Sequence, residues 1–114
     1  MSGLDDDLAK LDHMIHEPAR LAILTALSAC KSADFIFMQR LTNLTAGNLS
    51  GHLTRLEQAG FIWMEKKIID KRTNTKIGLT DLGRTAISRH WEQLEQMRIH
   101  AQSQGTESID STTS

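Results

Sequence analysis

Cysteine is scarce in this sequence, long apolar runs are absent, and neither sign of charge prevails. The lone Cys30 excludes a disulfide within one chain and a zinc site built from several cysteines. No apolar run approaches the roughly 20 residues that span a bilayer, which excludes a transmembrane protein. The segment Met1 to Asp7 is acidic and has neither the basic nor the apolar region of a signal peptide, so we expect none. Together these absences predict a reducing, cytoplasmic compartment.

Sequence motifs of enzymes are also absent. The chain has no glycine-rich phosphate loop, no nucleophile elbow and no pair of carboxylates in a catalytic motif. Its 114 residues, 39% hydrophobic and 24% charged, are typical of one small globular domain. We therefore expect a binding protein without a cofactor rather than an enzyme. The domain is predicted to cover residues 1–101, and the polar residues 102–114 to form a disordered tail.

Charge is distributed unevenly along the chain, although the net charge is only −1. Residues 45–80 carry six Lys or Arg against three Asp or Glu. Acidic residues prevail on both sides, with six against four in residues 1–44 and five against three in residues 81–114. Because a local basic surface decides binding to a polyanion more than the total charge does, the middle third is a candidate nucleic-acid surface. The alternative is a solvated surface without a partner.

Apolar periodicity predicts three helices in the first part of the chain. The first has an apolar stripe formed by Leu4, Leu8, Leu11 and Ile15. The second begins at Pro18, where a missing N–H costs nothing, and ends near Cys30. Its inner stripe is formed by Leu21, Leu24, Ala26 and Leu27. A polar link over residues 31–34 precedes the third helix, whose inner positions are Phe35, Met38, Leu41 and Leu44.

The fourth predicted helix begins at its N-cap Thr45, ends near Ala59 and is polar on one side. Its buried side is formed by Leu49, Leu53 and Leu56. Gly47 and Gly51 lie on the opposite side, where a glycine costs roughly 1 kcal/mol relative to alanine and no core contact explains it. We interpret this thin side as a surface that lies close in a DNA groove. The polar groups within reach of base edges are then Asn48, Ser50, Thr54 and Arg55. The alternative is a mildly unstable surface helix with no ligand.

A hairpin and a long helix are predicted to complete the fold. Residues 61–70 and 75–79 favour two strands around a polar turn. The turn region carries side chains suited to phosphates or the minor groove, namely Lys71, Arg72, Thr73, Asn74 and Lys76. The alternative for this region is a solubilising turn. Thr80 caps a last helix over residues 81–101. The order of elements predicts a mainly α fold with a β wing, the winged helix-turn-helix.

The last helix carries an apolar stripe that requires a partner, because the helix projects beyond a small domain. The stripe is formed by Ile87, Trp91 and Leu94. Together with Leu4, Leu8 and Leu11 of the first helix, it predicts a two-fold homodimer interface. Such a dimer presents two recognition helices about one DNA turn apart, roughly 34 Å. The alternative is that both helices pack on their own domain.

Histidine, cysteine and tryptophan leave further functions to weigh. The histidines considered as metal ligands are His13, His16, His90 and His100, with Glu92 and Glu95 nearby, but they form no tight cluster and we expect no metal. Cys30 is expected to be a small buried apolar residue rather than a redox sensor. Trp63 and Trp91 are expected in the core and the interface, with the lining of an effector pocket as the alternative.

Several motifs resemble those of small winged-helix transcriptional regulators of the MarR/ArsR-like group. Residues 44–53, LTAGNLSGHL, are similar to the pattern LTxGNLSxHL of that group. Residues 56–61, LEQAGF, match its following LExAG, residues 15–24, IHEPARLAIL, resemble its opening, and residues 79–84, LTDLGR, its exit from the wing. The resemblance covers about residues 11–98.

The resemblance implies a homodimeric DNA-binding regulator, which we expect to be a repressor. The fourth helix would enter the major groove, with Thr45, Ala46, Asn48, Ser50, Gly51, Thr54 and Arg55 as its groove-facing positions. Thr73 stands where related wings often have proline, so a more mobile wing tip is expected. The slightly acidic total charge predicts a modest, salt-sensitive affinity for DNA. A winged-helix protein-interaction module and a sensor of a metal or small molecule remain as alternatives.

Overall fold

A computed structural model describes residues 12–105. The predicted interface residues Leu4, Leu8 and Leu11, and the tail from residue 106, lie outside the described residues. Within 12–105 the elements follow in the order α1 (Pro18–Ser28), β1 (Ala33–Asp34), α2 (Phe35–Thr42), α3 (Ala46–Gln58), β2 (Ile62–Ile69), β3 (Arg72–Leu79) and α4 (Asp81–Gln104). Three short helices, a hairpin and a long helix make up the predicted winged helix-turn-helix, which is thereby confirmed.

The four described helices all begin at a residue whose side-chain oxygen accepts a backbone N–H of the first turn. Such a cap stabilises a helix by about 1 kcal/mol, because it satisfies a donor that has no partner within the helix. The predicted caps Thr45 and Thr80 are confirmed, and their hydroxyls accept N–H groups at 3.1 and 3.0 Å. Glu17 and Asp34 cap α1 and α2 in the same way, which the sequence analysis did not predict.

The core lies between α1, α3, the hairpin and the first half of α4. Its most deeply buried apolar side chains are Ile15, Ile23, Leu24, Leu27, Met38, Leu49, Leu53, Leu56, Ile77 and Ile87. The predicted inner side of α3 is confirmed by this set. In α1, Leu24 and Leu27 are buried as predicted, but Leu21 and Ala26 are only half-buried and Ile23 is buried in addition.

The prediction for α2 is wrong at its last turn. Met38 is buried and Phe35 packs against the core, but Leu41 is 51% exposed. Residues three apart fall about 60° short of a full turn at every step, so a stripe with this spacing drifts off the buried face. The helix also ends at Thr42, and Leu44 packs against the core from the connection to α3.

The strands form one antiparallel sheet in the order β1-β3-β2. β1 pairs with the middle of the sheet, with Ala33 opposite Ile77 and Asp34 opposite Lys76. The last two residues of the polar link predicted over residues 31–34 are therefore strand, and their pairing with β3 was not predicted. Two residues are too few to show the alternation of a strand, and their partner lies far along the chain.

The hairpin turns at Asp70 and Lys71, whose φ angles are 50° and 64°. A two-residue turn with two positive φ angles matches the twist of the flanking strands, which allows the pairing to continue up to the turn. β3 therefore begins at Arg72. Thr73 and Asn74, predicted in the turn, are strand residues paired with β2, so Thr73 does not lie at the wing tip as expected.

Trp63 covers Gly78 across the hairpin, and a Cβ on Gly78 would overlap the indole ring. Its side chain is 36% exposed, so its predicted place in the core is wrong. The reason is the alternation of the strand, which puts Trp63 on the face opposite to buried Ile62. A second close approach occurs where a Cβ on Gly83 would overlap the carbonyl group of Phe61, so the start of α4 packs directly on the start of the hairpin.

α4 extends beyond its predicted end. Residues 102–104, predicted to be disordered, are helical, because none of them breaks a helix and Arg98 donates to the Gln102 side chain at 3.4 Å. With 24 residues at about 1.5 Å each, α4 is about 36 Å long. Among the described residues, no helix is both long and apolar enough to cross a bilayer.

Candidate nucleic-acid interface

The three buried leucines of α3 fix which side of this helix faces outward. With Leu49, Leu53 and Leu56 in the core, the side that carries Gly47 and Gly51 is exposed. A Cβ built on either glycine would meet no described atom within 4 Å beyond its own helix backbone and chain neighbours. Packing within the described chain therefore does not require either glycine. Their effect is to leave α3 without side-chain bulk at these two outward positions.

The predicted groove-facing residues of α3 are all exposed, and they lie in its N-cap and along its helical residues. They are Thr45, Ala46, Asn48, Ser50, Gly51, Thr54 and Arg55. The first turn contains no acidic residue, so the partial positive charge of the helix N-terminus remains uncompensated there. Arg55 adds a full positive charge in the last turn. This surface can accept an anion at one end and offers hydrogen-bonding groups along its length.

The predicted wing residues are divided between two faces of the hairpin, because side chains alternate along a strand. The inner face, which lies toward α3, carries Met64, Lys66, Thr73 and Thr75. The outer face carries Trp63, Glu65, Lys67, Arg72, Asn74 and Lys76. Lys71 lies in the turn itself. Lys71, Arg72, Thr73 and Lys76 are exposed and Asn74 is half-buried, and Thr73 lies on the face opposite to Arg72, Asn74 and Lys76.

The two lysines of the outer face, Lys67 and Lys76, lie close to acidic residues. Glu65 lies opposite Lys76 in the register and 3.0 Å from the Nζ of Lys67, while Asp34 is the partner of Lys76 on the other side. A hydrogen bond from Lys67, the charge of Lys67 and the charge of Lys76 together lower the pKa of the Glu65 carboxyl. Lys76, a predicted DNA-binding residue, therefore has an acidic residue on both neighbouring strands.

A groove of about 260 Å³ separates α3 from the inner face. It is lined by Phe35, Ser50, Leu53, Thr54, Met64, Lys66, Thr73 and Thr75. Lys66 was not among the predicted site residues. Its signal in the sequence is the alternation of β2, which puts Lys66 on the same face as Met64, but the register that pairs it with Thr75 cannot be read from β2 alone.

A buried arginine connects α3 to the start of α1. Arg20 is 9% exposed, and its Nε donates to the carbonyl oxygen of Met14 at 2.6 Å. Its Nη1 lies 3.4 Å from the Nδ1 of His52 on α3, and the Glu17 carboxylate lies 3.4 Å from the same nitrogen. Burial raises the pKa of Glu17, but two backbone N–H groups and the charges of His52 and Arg20 outweigh it and lower the pKa. His52 thus holds α3 in place and does not point outward with its neighbours.

Of the histidines considered as metal ligands, His16 and His90 come together. The Nδ1 of His16 lies 3.3 Å from the Nε2 of His90, which is 1% exposed. Burial and the charge of His16 lower the pKa of His90, and Asp12 opposes them. Residues 12–105 contain no group of three His, Cys, Asp or Glu side chains placed to hold a metal ion. Cys30 is half-buried, and its thiol donates to the carbonyl oxygen of Ala26 at 3.2 Å.

A pocket of about 440 Å³ lies beside α4, next to the chain that leads into α1. Its described lining consists of Asp12, Ile15, Phe61, Leu82, Thr85, Ala86, Arg89, His90 and Gln93. The lining combines an apolar floor with the Arg89 guanidinium and the His90 ring. Neither Trp63 nor Trp91 is part of this lining.

The predicted apolar stripe of α4 is only partly on the surface. Ile87 is 1% exposed and belongs to the core of its own domain, so its assignment to the dimer interface is wrong. The reason is that the first half of α4 packs on the hairpin and α1, and the helix leaves the core only later. Trp91 is 45% exposed, Leu94 is half-buried and Ile99 is 44% exposed. The exposed apolar surface thus lies in the second half of the helix.

The sequence profile of the winged helix DNA-binding domain matches residues 19–98. A curated relative, the uncharacterized protein MJ0432 of Methanocaldococcus jannaschii, is 35% identical over 78 residues, which cover 68% of this chain and 85% of the relative. The solved structure of the transcriptional regulator homologue from Pyrococcus horikoshii OT3 is 31% identical. It has a TM-score of 0.73 and covers 84% of this chain and 93% of its own.

More distant solved structures share the fold. The transcriptional repressor CouR, solved bound to a 23-mer DNA duplex, has a TM-score of 0.66 and 20% identity and covers 90% of this chain and 72% of its own. A transcriptional regulator of the MarR family from Silicibacter pomeroyi also has this architecture. The profile match covers the greater part of the stretch that carries the quoted motifs.

Proposed function

The chain belongs to the winged helix DNA-binding domain family and has the fold of MarR-like transcriptional regulators, and on that premise we propose that it is a cytoplasmic, homodimeric transcriptional repressor. α3 enters the major groove, and the wing, formed by Lys71 in the turn and residues 72–76 of β3, contacts the flanking backbone and the minor groove. Repression is steric, because a dimer on a promoter site blocks the polymerase.

The observation that carries this proposal is the open space over Gly47 and Gly51. An α-helix with side chains is about 10–12 Å across, and the major groove of B-DNA is about 12 Å wide. Removing bulk from the outward side allows the helix axis to come closer to the base edges. A glycine inside a helix lowers its stability relative to alanine, and packing among the described residues requires neither Gly47 nor Gly51.

The outward side of α3 carries the chemistry for reading bases. An arginine such as Arg55 can donate two hydrogen bonds to guanine, and an asparagine such as Asn48 can bond both edge groups of adenine. Ser50 and Thr54 can bond either base edges or phosphates. The polarised N-terminus of α3 favours a phosphate near Thr45.

The exposed apolar residues of α4 support a second copy as partner. Trp91 and Ile99 are large apolar side chains on a helix that extends past its own core. A two-fold pairing along this part of α4 buries them and presents two copies of α3 to successive turns of DNA, roughly 34 Å apart.

Selection of bound genomic fragments, followed by footprinting at fixed salt, tests the proposal. We expect enrichment of a few fragments and protection of two half-sites related by a pseudo-two-fold axis. A chain that enriches no fragment at 50 mM salt, where phosphate contacts are strongest, is not a DNA-binding regulator. That result favours the protein-interaction module instead.

The pocket beside α4 supports a second candidate function, regulation by a small molecule. Its volume of about 440 Å³ suits a small metabolite, and Arg89 with His90 beside an apolar floor suits an organic anion with an apolar body. Calorimetry with a panel of small aromatic and aliphatic acids tests this candidate. A ligand is expected to bind stoichiometrically and to change the affinity for the selected DNA, whereas a panel without heat or shift contradicts it.

A further inference from the structure

We propose that Lys66 binds the backbone phosphates that pass between α3 and the hairpin when the chain is on DNA. The inference rests on the proposed function and adds to it a residue that lies neither on the outward side of α3 nor in the basic turn. It also predicts that the three lysines of β2 and β3, Lys66, Lys67 and Lys76, contribute unequally to DNA binding.

The position of the phosphates follows from the shape of the duplex. The major groove and the neighbouring minor groove are separated by one sugar–phosphate strand. A chain that puts α3 into the first groove and the hairpin turn into the second must straddle that strand. The protein surface between the two elements is the groove of about 260 Å³, so its lining faces the phosphates.

The lining of this groove suits a polyanion. Lys66 is the only charged side chain among its described lining residues. Hydroxyl donors surround it, with Ser50 and Thr54 on α3 and Thr73 and Thr75 on β3. In the strand register Lys66 lies directly opposite Thr75. A positive charge flanked by hydroxyl groups is the usual composition of a phosphate contact.

The outer lysines are placed differently. Lys67 follows Lys66 directly but points to the opposite face, where its Nζ lies 3.0 Å from the Glu65 carboxylate. Lys76 lies between Glu65 and Asp34 on the two neighbouring strands. On the outer face a phosphate would have to compete with these carboxylates, whereas on the inner face Lys66 has no such competitor among the lining residues.

The test compares Lys66→Gln with Lys67→Gln, two changes that each remove one positive charge from adjacent residues of one strand. Affinity for the selected DNA site is measured from 50 to 300 mM salt. Each phosphate contact contributes about 0.9 to the slope of log affinity against log salt. We expect Lys66→Gln to reduce the slope by about 0.9 and the affinity at 100 mM salt by roughly tenfold. Lys67→Gln is expected to keep the wild-type slope, and so is Lys66→Arg.

The outcomes separate this inference from the proposed function. If the wild-type chain binds DNA but Lys66→Gln keeps its slope, or Lys67→Gln lowers the slope equally, the role of Lys66 is refuted and the proposed function stands. If the wild-type chain binds no DNA, the proposed function itself fails. Both side chains are exposed, so we expect each variant to melt at the temperature of the wild-type chain. Thermal melting therefore shows whether a reduced slope comes from a loss of folded protein.

Discussion

At the scale of single residues, the glycines of α3 are unfavourable for stability, and under the proposed function they allow a close approach to DNA. Gly51 lies well inside a helix of 13 residues, and a side chain there has room. Alanine at this position removes the backbone freedom that glycine has in the unfolded chain. A glycine that lowers stability without a packing reason is expected where a function requires the absence of a side chain.

Gly51→Ala is expected to raise the free energy of unfolding by about 0.5–1 kcal/mol, measured by urea titration. Gly51→Leu is expected to keep most of that gain, because leucine is also a good helix former. In footprinting titrations the leucine variant should lose about 1–3 kcal/mol of specific binding, since its side chain holds α3 away from the bases. Full DNA affinity in the leucine variant would show that α3 does not lie close to the duplex.

His90 gives a pH dependence at the same scale. Its pKa is lowered by burial and then by the charge of His16, so the unfolded chain takes up a proton more readily than the folded chain. The folded state therefore loses stability when His90 must take up a proton. The stability is full above the unfolded pKa of about 6.5 and falls as the pH drops toward the lower pKa of folded His90. Urea unfolding from pH 8 to pH 5 is expected to show this loss. His90→Gln should flatten it, whereas His13→Gln, at an exposed position, should leave it unchanged.

At the scale of elements, apolar periodicity predicted α1, α3 and α4, with Pro18 marking the start of α1 and the caps Thr45 and Thr80 marking the starts of the other two. α3 has three buried leucines at spacings of four and three, and Thr45 begins it as expected. α2 was harder, because a short helix with apolar residues three apart gives no stable stripe, and Leu41 is exposed as a result. β1 was not predictable, since its two residues are strand only through pairing with β3.

The hairpin shows why the site was only partly predictable. The basic residues 71–76 were recognised from composition, but Asp70 and Lys71 are not one of the usual glycine-containing turn pairs. The turn was therefore predicted over residues 71–74 instead of at Asp70 and Lys71. With the turn misplaced, the sequence could not show which residues of β3 lie on which face of the hairpin. The register decides that Lys66 faces α3 and that Lys76 faces two carboxylates, and one residue of error reverses every face.

Two substitutions of the turn residue Lys71 test whether the wing tip contacts phosphates. Both remove its charge, but only one of them is expected to change the stability of the chain. Its φ of 64° is unfavourable for a residue with a side chain, so Lys71→Gly is expected to stabilise the chain by up to about 1 kcal/mol. Lys71→Gln removes the same charge without this relief. Both variants are expected to reduce the slope of log affinity against log salt by about 0.9. If both keep the wild-type slope, the wing tip does not contact phosphates.

At the scale of the whole molecule, the sequence predicted a homodimer interface that includes Ile87, but this residue lies in the core of its own domain. Ile87 follows the same spacing as Trp91 and Leu94, and periodicity alone cannot tell where a helix leaves its own core. The fold supplies that information, because Gly83 fixes the start of α4 against the carbonyl group of Phe61. The helix then passes the domain edge, and Trp91 and Ile99 in its later part are exposed.

Trp91→Glu tests this arrangement, because it puts a charge into the centre of the proposed interface. A tryptophan in such a place contributes about 2–4 kcal/mol to association. We expect the wild-type chain to sediment as a dimer at micromolar concentration and Trp91→Glu as a monomer. Gln96→Glu, which adds the same charge at another exposed position of α4, should remain dimeric. On DNA the monomeric variant is expected to protect single half-sites with much lower affinity, because the second copy of α3 no longer binds the adjacent turn. A wild-type chain that sediments as a monomer, or a Trp91→Glu chain that stays dimeric, would contradict pairing through α4.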